Sequence, residues 1–329
     1  MAANDYAVVV GINRYQGLND LRGPENDAAD FDAWLRKPTG GAVPGGNIAR
    51  LLGSELGGGS LRPRVGDVDD EFEKLHEGLQ VGNAGRTGRR LYIFLAGHGF
   101  DPDGTDAALL CASATRRRLG DHISGKLYSL WFRKAALFDE IALFMDCCRD
   151  DYSRAPLRPP PWLEEHRPDP GVRMFTALAT RWAFQARERV DPDDPGSRVR
   201  GLFSKALLGM LNAGKVTGEE LKRFTINDLA TLVGQGEYQE PEINVDPGFV
   251  FSEAADPPRG TLTLAASRVR RRHMFRLNGP TGAVVGRQVV DSRPWTFPDL
   301  DFGMFVFTDE DTGEIRFVEI VRPEVDVTF

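Results

Sequence analysis

The chain has 329 residues, of which 41% are hydrophobic and 27% are charged. This composition is ordinary for a globular protein and excludes a collagen-like, coiled-coil or wholly disordered chain, while the length suggests about two domains. No apolar run approaches the ~20 residues that a membrane-spanning helix needs, and no basic segment precedes the first apolar stretch. The sequence therefore predicts neither a membrane span nor a secretory signal.

Charge and cysteine content narrow the functional classes further. The formal net charge of −7 argues against a dedicated nucleic-acid binder, because the phosphate backbone must be met by a cationic surface. Three cysteines are too few for a disulfide framework, and two of them, Cys147 and Cys148, are adjacent. This usage favours a reducing compartment and hence a cytoplasmic protein.

In the first part of the chain, short apolar runs alternate with amphipathic stretches. The runs that are typical of buried parallel strands are Tyr6–Ile12, Leu91–Ala96, Ile141–Met145 and Met174–Leu178. The stretches that predict helices are Asn26–Arg36, Asp67–Leu79, Leu127–Phe138, Leu202–Leu211 and Thr225–Val233. Such alternation predicts an α/β fold with helices on both faces of a mostly parallel sheet.

Two changes in composition divide the chain. Residues 151–171 contain a Pro-Pro-Pro run and many charges, which is typical of an exposed linker. Beyond residue 258, short strand-like runs are separated by turn signals, which predicts a small all-β, β-sandwich-like domain over residues 259–329. The larger domain then covers residues 1–256, with the linker inside it.

Two of the predicted strands lead into reactive side chains. One is followed by Gly97-His98-Gly99 and the other by Asp146-Cys147-Cys148. In open α/β sheets the reactive groups gather beyond the carboxyl ends of the strands. We therefore expect His98 and Cys148 to lie close together at one edge of the sheet.

A cysteine and a histidine together suit nucleophilic catalysis. A thiol with a pKa near ~8.5 is mostly protonated at neutral pH, and an adjacent imidazole activates it by taking its proton. The imidazole can then return that proton to a leaving amine, and the N–H groups of Gly99 and Cys148 can stabilise an oxyanion. Taken separately, Gly-His-Gly is often a turn and a buried cysteine is often a core residue. Their joint placement at strand ends favours the catalytic interpretation.

These two motifs resemble those of the caspase-like cysteine peptidases. Leu91–Gly99 is similar to the family's histidine motif and Phe144–Arg149 (FMDCCR) to its nucleophile motif, with the histidine and the second cysteine 50 residues apart. The chain looks closer to prokaryotic metacaspases and paracaspases than to animal caspases. Further segments that resemble the family are Tyr6–Tyr15, Leu21–Ala28, Ala179–Glu188 and Gly201–Leu211.

The resemblance covers residues 5 to about 250 and implies a caspase-like three-layer sandwich. It also implies a catalytic dyad in which Cys148, rather than Cys147, is the nucleophile and His98 is the general acid and base. The implied reaction is cleavage of proteins through a thioester acyl-enzyme. Prokaryotic relatives of this kind often act in stress or antiviral defence, so a regulated role of that sort is implied as well.

The same resemblance implies a specificity for the residue before the scissile bond. Asp146 precedes Cys148 by two residues and so shares its side of the strand; metacaspases and paracaspases carry an acid there and cut after basic residues. Asp27 matches a second pocket acid of those families. The third acid of paracaspases falls on Gln185, although Glu188 is nearby. The implied substrates are proteins or peptides with Arg, in preference to Lys, before the scissile bond.

No cofactor or metal is predicted from the sequence. The acidic run Asp101–Asp106 resembles the start of a calcium loop, but Ala112 stands where the bidentate glutamate of such a loop belongs. Calcium dependence is therefore unsupported. The histidines that lack ligand spacing are His76, His122, His166 and His273, and none is assigned a metal.

Two alternatives stay open. In one, the chain has a caspase-like fold that no longer cuts and serves as a scaffold. In the other, a regulatory protein partner binds through residues 259–329 and the peptidase is the output. If the chain cuts itself, we expect the cut after Arg154 in the linker or within residues 268–272. Exposed loops are the preferred sites of nicking, and the other linker arginines, Arg158 and Arg167, are followed by proline, which makes a poor scissile bond.

Overall fold

The structure, a computed structural model, describes residues 3–57, 61–80, 88–151, 155–163, 171–234, 237–253, 255–256, 259–320 and 324–329. The helices are α1 Pro24–Arg36, α2 Val65–Gln80, α3 Gly125–Ala135, α4 Leu202–Ala213 and α5 Gly218–Val233. The strands are β1 Asp5–Gly11, β2 Ile48–Leu52, β3 Gly88–Gly97, β4 Gly99–Phe100, β5 Ala108–Leu110, β6 His122–Ser124, β7 Phe138–Cys147, β8 Arg173–Leu178, β9 Glu188–Val190, β10 Val199–Gly201, β11 Val216–Thr217, β12 Glu242–Val245, β13 Val250–Phe251, β14 Arg259–Ala265, β15 His273–Asn278, β16 Val284–Val290, β17 Trp295–Asp301, β18 Gly303–Asp309, β19 Ile315–Ile320 and β20 Glu324–Thr328. Among the described helices, none combines the length and the apolar character that a membrane crossing requires.

A six-stranded sheet lies at the centre of the larger part of the chain. Its strand order is β12-β8-β7-β3-β1-β2, and every strand except the antiparallel edge strand β12 runs parallel to its neighbours. The four strands predicted from apolar runs are β1, β3, β7 and β8. Their near-continuous apolar sequences follow from burial on both faces of a parallel sheet; in β7, only Asp139 is exposed.

Helices cover both faces of this sheet. On one face, Phe72 of α2 and Phe132 of α3 pack together with a ring-centroid distance of 5.7 Å. On the other face, α1, α4 and α5 share a second apolar core, in which Phe31 of α1 stacks on Phe94 of β3 at 4.6 Å. The predicted α/β fold, a three-layer sandwich around a mostly parallel sheet, is therefore confirmed.

Part of the predicted linker contacts the helical layer, and its residues are half-buried or exposed. Within residues 155–163, the Trp162 ring lies 5.5 Å from that of Trp131 in α3. The Arg158 guanidinium pairs with Asp69 of α2. An aromatic contact and an ion pair therefore hold this segment against the helical layer, while Pro156, Pro159, Pro161 and Leu163 are exposed as expected of a linker. Arg154, a predicted site of self-cleavage, lies outside the described residues.

The C-terminal strands form two further sheets with a core of their own. Sheets β17-β14-β20 and β16-β15-β18-β19 enclose one apolar cluster, and in β14 the buried Leu262 and Leu264 alternate with half-buried residues. The strands contact α5 through the rings of Phe224 and Phe302, whose centroids are 5.7 Å apart. This two-sheet packing corresponds to the β-sandwich-like unit expected from the sequence.

Candidate active site

His98 and Cys148 lie next to each other at the carboxyl edge of the central sheet. Strands β3 and β7 are adjacent and parallel, and Gly97 pairs with Cys147 in their register. The residues that follow are therefore neighbours as well, on chains about 4.8 Å apart. Both side chains line one cavity of about 260 Å³. The structure thus brings the two strand-end residues together, as the sequence led us to expect.

The His98 imidazole is held from two sides. The His98 backbone N–H donates to the Tyr15 hydroxyl at 2.8 Å, and the two rings meet edge-on at 4.7 Å. The Nε2 atom of His98 lies 2.7 Å from the carbonyl oxygen of Asn19. Because a carbonyl can only accept, Nε2 carries the proton and a neutral imidazole keeps its lone pair on Nδ1. His98 is therefore prepared to act as a base through Nδ1.

The Cys148 thiol is half-buried in the cavity. Its S–H donates to the carbonyl oxygen of Ala186 at 3.7 Å. Burial raises the pKa of the Cys148 thiol to about 12, and the nearby carboxylates of Asp150 and Asp146 add to the rise. The sulfur is therefore a protonated thiol at rest, and it needs a base to become a nucleophile.

Cys147 faces the opposite side of the strand and is only 2% exposed. Burial raises the pKa of its thiol well above the ordinary value, so this sulfur is an inert core group. The position of the Cys147 side chain also explains why a glycine follows His98. A Cβ atom on Gly99 would lie 2.6 Å from the Cys147 Sγ and 2.7 Å from the Cys148 carbonyl oxygen. Only a glycine lets the backbone of β4 approach Cys147 and Cys148 so closely.

Asp146 lies at the floor of the cavity and is almost fully buried. The hydroxyl of Ser204, in α4, donates to its Oδ2 at 2.6 Å, and the Ser204 backbone N–H donates to the same oxygen at 3.2 Å. Burial raises the pKa of the Asp146 carboxyl to about 6, although the bonds from Ser204 oppose the rise. This carboxyl is therefore mostly ionised at neutral pH and becomes protonated as the pH falls through about 6.

Asp27, in α1, lines the cavity beside Asp146. Its Oδ1 accepts a hydrogen bond from Nε of Arg200 at 2.6 Å, and its Oδ2 accepts one from the Gly201 backbone N–H at 2.8 Å. Burial and the Asp146 charge raise the pKa of Asp27 well above its usual range. A Cβ on Gly201 would collide with the Asp146 carboxylate, so the glycine is what lets the two acids share the site.

The remaining predicted residues, Gln185 and Glu188, form part of the cavity wall. The Glu188 carboxylate accepts hydrogen bonds from the backbone N–H groups of Gly23, at 2.8 Å, and Arg22, at 3.2 Å. It thereby satisfies donors at the start of α1 as well as adding a negative charge to the wall. All six side-chain-bearing residues predicted for the site therefore line one cavity; they are Asp27, His98, Asp146, Cys148, Gln185 and Glu188.

Arg149, the residue after Cys148, is a buried anchor; it belongs to the sequence motif around Cys148, but no role was predicted for it from the sequence. The Arg149 guanidinium, 1% exposed, donates to Oδ2 of Asp101 at 2.9 and 2.7 Å and to Glu242 at 2.5 Å. These pairs tie the end of β7 to the turn after β4 and to the edge strand β12. The backbone that carries Cys148 is thereby fixed on both sides.

Asp101 and Asp106, in the acidic run that resembles the start of a calcium loop, have partners in the chain. Asp101 pairs with Arg149, as described, and its Oδ1 accepts the Gly104 backbone N–H at 2.7 Å. Asp106 accepts the backbone N–H of Lys126 at 2.9 Å, at the start of α3. Their carboxylates therefore stabilise a turn and a helix start.

One further group has ligand atoms close enough for a metal ion. These atoms, from His273, Asp309 and Asp311, lie within 4.8 Å of one another. The pairing of β15 with β18 brings them together, which sequence spacing did not reveal. Nδ1 of His273 already contacts Asp309 at 2.8 Å, and the Arg270 guanidinium lies 3.5 Å from the same carboxylate. Because Arg270 would repel a second cation, we assign no metal here.

Three comparisons with known proteins found similarities. A family model of the caspase domain matches residues 4–246. A probable protease from a Desulfuromonadales bacterium is 27% identical over 245 residues, which are 68% of this chain but only 28% of that protein. Among solved structures, caspase-1 from Spodoptera frugiperda has a TM-score of 0.48 at 11% identity, over 74% of this chain and 86% of the other. A structure of pro-Sf-caspase-1 has a TM-score of 0.41 at 13% identity, over 74% and 91%.

The family match includes both strand-end motifs and the helices that close the cavity. Within it, a cysteine thiol and an imidazole line one cavity at the edge of a parallel sheet. The chain therefore belongs to the caspase family.

Proposed function

We propose that the chain is an endopeptidase that cleaves proteins after basic residues and prefers Arg to Lys. The observation that carries the proposal is the charge of the cavity beside the thiol, where the carboxylates of Asp27, Asp146 and Glu188 line the wall. Of these three, only Asp27 is ion-paired among the described residues, with Arg200. Arg187 also lines the cavity but pairs with Glu237, so Asp146 and Glu188 carry the negative charge that the wall leaves without an ion-pair partner among the described residues. Such a wall attracts a cationic side chain and repels an acidic one.

The preference for Arg follows from the shape of the cation. A guanidinium is planar and offers several donors, so it can bond to one carboxylate in a bidentate manner while reaching a second. Asp146 keeps Oδ1 for such a contact, because both bonds from Ser204 go to Oδ2. A lysine ammonium is a point charge and makes fewer of these bonds.

The proposed chemistry uses Cys148 and His98 as a dyad. Nδ1 of His98 takes the thiol proton while the sulfur attacks the carbonyl carbon, and the N–H groups of Gly99 and Cys148 stabilise the oxyanion. The imidazolium, held by the carbonyl of Asn19, returns the proton to the leaving amine, and a thioester remains. A water molecule, deprotonated by the same imidazole, then attacks the thioester; the carboxylic acid leaves and the thiol is restored.

A panel of peptidyl aminomethylcoumarins tests the specificity. The peptides share their preceding residues and end in Arg, Lys, citrulline or Asp before the coumarin. We expect kcat/KM to fall in the order Arg, Lys, citrulline and to be lowest for Asp, with Arg at least ~30-fold above its neutral isostere citrulline. Faster cleavage after Asp or citrulline than after Arg would overturn the proposed specificity.

The pH dependence of the same comparison tests the role of Asp146. Its carboxyl has a pKa of about 6 in the free protein, so it loses its charge as the pH falls below that value. The ratio of kcat/KM for Arg over citrulline should therefore be constant near pH 8 and fall from about pH 6 downward. Ionisation of the dyad cancels in this ratio. A ratio that stays constant to about pH 5 contradicts the assignment.

A second candidate function is binding of a protein partner through the C-terminal strands. On one face of β18 and β19, the side chains of Met304, Ile315 and Phe317 are 45%, 54% and 72% exposed, and exposed apolar clusters of this kind often mark interfaces. An inactive scaffold predicts no turnover of any peptide in the panel. A regulated role in bacterial stress or antiviral defence rests on the family resemblance alone.

A further inference from the structure

Asp150 lies two residues after the nucleophile and lines the same cavity as Cys148 and His98. It is half-buried. The acids proposed for the binding cavity all have hydrogen-bond partners within the chain, as described above. The Asp150 carboxylate, in contrast, makes no hydrogen bond or ion pair with any residue that the structure describes. A half-buried carboxylate in an active-site wall, with no partner of its own, is available to a ligand.

The backbone of Asp150 is nevertheless fixed. Its carbonyl oxygen accepts the Asp101 backbone N–H at 3.0 Å, and Asp150 forms a parallel bridge with Phe100 of β4. The preceding residue, Arg149, is the buried anchor described above. These backbone contacts therefore fix where the Asp150 carboxylate lies in the cavity.

The backbone of Asp150 and the acids of the binding cavity have their contacts on different faces of the sheet. Asp27 and Asp146 contact α1, β10 and α4, which pack on one face. Asp150 is bridged to Phe100, whose side chain belongs to the core on the opposite face. A peptide that crosses the sheet edge at Cys148 with its basic residue beside Asp146 therefore carries the residue after the scissile bond towards Asp150.

We propose that Asp150 is a specificity-determining residue that favours a basic side chain immediately after the scissile bond. This inference rests on the proposed function, because it assumes that peptides bind with Arg beside Asp146. The proximity of Asp150 to the reacting sulfur has separate support: after burial, it is the carboxylate that most raises the pKa of the Cys148 thiol, ahead of Asp146.

Internally quenched peptides that differ only in the residue after the scissile bond test the inference. Each carries Arg before the bond and Lys, Gln or Glu after it, and each is assayed with the wild type, Asp150→Asn and Asp151→Asn. Asp151 is exposed and adjacent in sequence, so it is a matched control for loss of one negative charge. For the wild type we expect kcat/KM to be roughly tenfold higher with Lys than with Glu at low salt. The preference should weaken in high salt.

In Asp150→Asn the Lys-to-Glu ratio should fall close to one, whereas Asp151→Asn should keep the wild-type ratio. Asp150→Asn should also speed alkylation of Cys148 by iodoacetamide at a fixed pH, because a negative charge beside the sulfur is removed. If the Arg peptides are cleaved and the Lys-to-Glu ratio of kcat/KM is the same in the wild type and Asp150→Asn, this inference is overturned and the proposed function stands. Absence of cleavage of every Arg peptide overturns both.

Discussion

Cys148→Ala is expected to lower kcat/KM for the Arg peptide by at least ~10³-fold, because removal of the nucleophile of a covalent hydrolase eliminates the acyl-enzyme route. The protein should remain folded, since the side chain is half-buried and its hydrogen bond to the Ala186 carbonyl is long. Initial rates with the coumarin peptide, together with a thermal unfolding curve, measure both effects.

Cys147→Ala is the matched control one position earlier. Its sulfur packs against Gly99 in the core, so the substitution should destabilise the protein by about 1 kcal/mol while kcat/KM stays within ~5-fold of the wild type. The opposite pattern, with Cys147→Ala inactive and Cys148→Ala active, would show that the first cysteine is the nucleophile.

Asp146→Asn is expected to lower kcat/KM for Arg peptides by ~30-fold or more. Loss of one partner of a buried charged pair costs about 2–5 kcal/mol, and ~1.4 kcal/mol corresponds to a factor of ten. Cleavage after citrulline should change much less, because that side chain carries no charge. The ratio of kcat/KM for Arg over citrulline therefore separates loss of the charge from general damage to the site. Near-wild-type cleavage after Arg would show that Asp146 does not bind the basic side chain.

Although Asp146→Asn should lower kcat/KM, it should not lower the free energy of unfolding near neutral pH. The pKa of Asp146 is raised in the folded protein, to about 6 from an ordinary value near 3.8. The folded state therefore binds more protons than the unfolded state between these values, and this carboxyl makes folding less favourable as the pH rises through them. Asn removes the buried charge and keeps an acceptor for Ser204. Above about pH 6, Asp146→Asn should be at least as stable as the wild type in thermal unfolding; a large loss of Tm contradicts this account.

The main elements of the sheet and of the site were predictable because their signals are local. A strand buried on one face alternates apolar and polar residues, whereas β3 and β7 have nearly continuous apolar runs. These runs indicate burial on both faces. Reactive groups at the ends of such strands meet because parallel strands share one carboxyl edge. His98 and Cys148 could therefore be paired from the sequence although 50 residues separate them.

Elements with mixed composition were predicted less well. Helix α5 begins at Gly218 and not at Thr225, because its first two turns carry four charged side chains that hide its apolar face. The signal was nevertheless present: Thr217 and Glu220 form a capping box, a Thr-x-x-Glu pattern that marks a helix start. Helix α3 stops before Phe138, because Ala136 has a left-handed φ of 50° and the chain turns into β7.

The partners of the site residues were beyond sequence reasoning. The contact of His98 with Asn19 is made by a backbone carbonyl, which has no side-chain signal. Ser204 reaches Asp146, and Arg200 reaches Asp27, from segments more than 50 residues away along the chain. Only the three-dimensional arrangement shows that these acids are buried with partners, and burial is what shifts their pKa values.

The most direct test of the account is active-site labelling with two irreversible probes that differ in one residue. A peptidyl acyloxymethyl ketone ending in Arg and its counterpart ending in Asp are incubated with the wild-type protein, and the adduct is located by tandem mass spectrometry. The account predicts one adduct, on Cys148, that forms at least ~30-fold faster with the Arg probe than with the Asp probe. An adduct on Cys147, or faster labelling by the Asp probe, would contradict it.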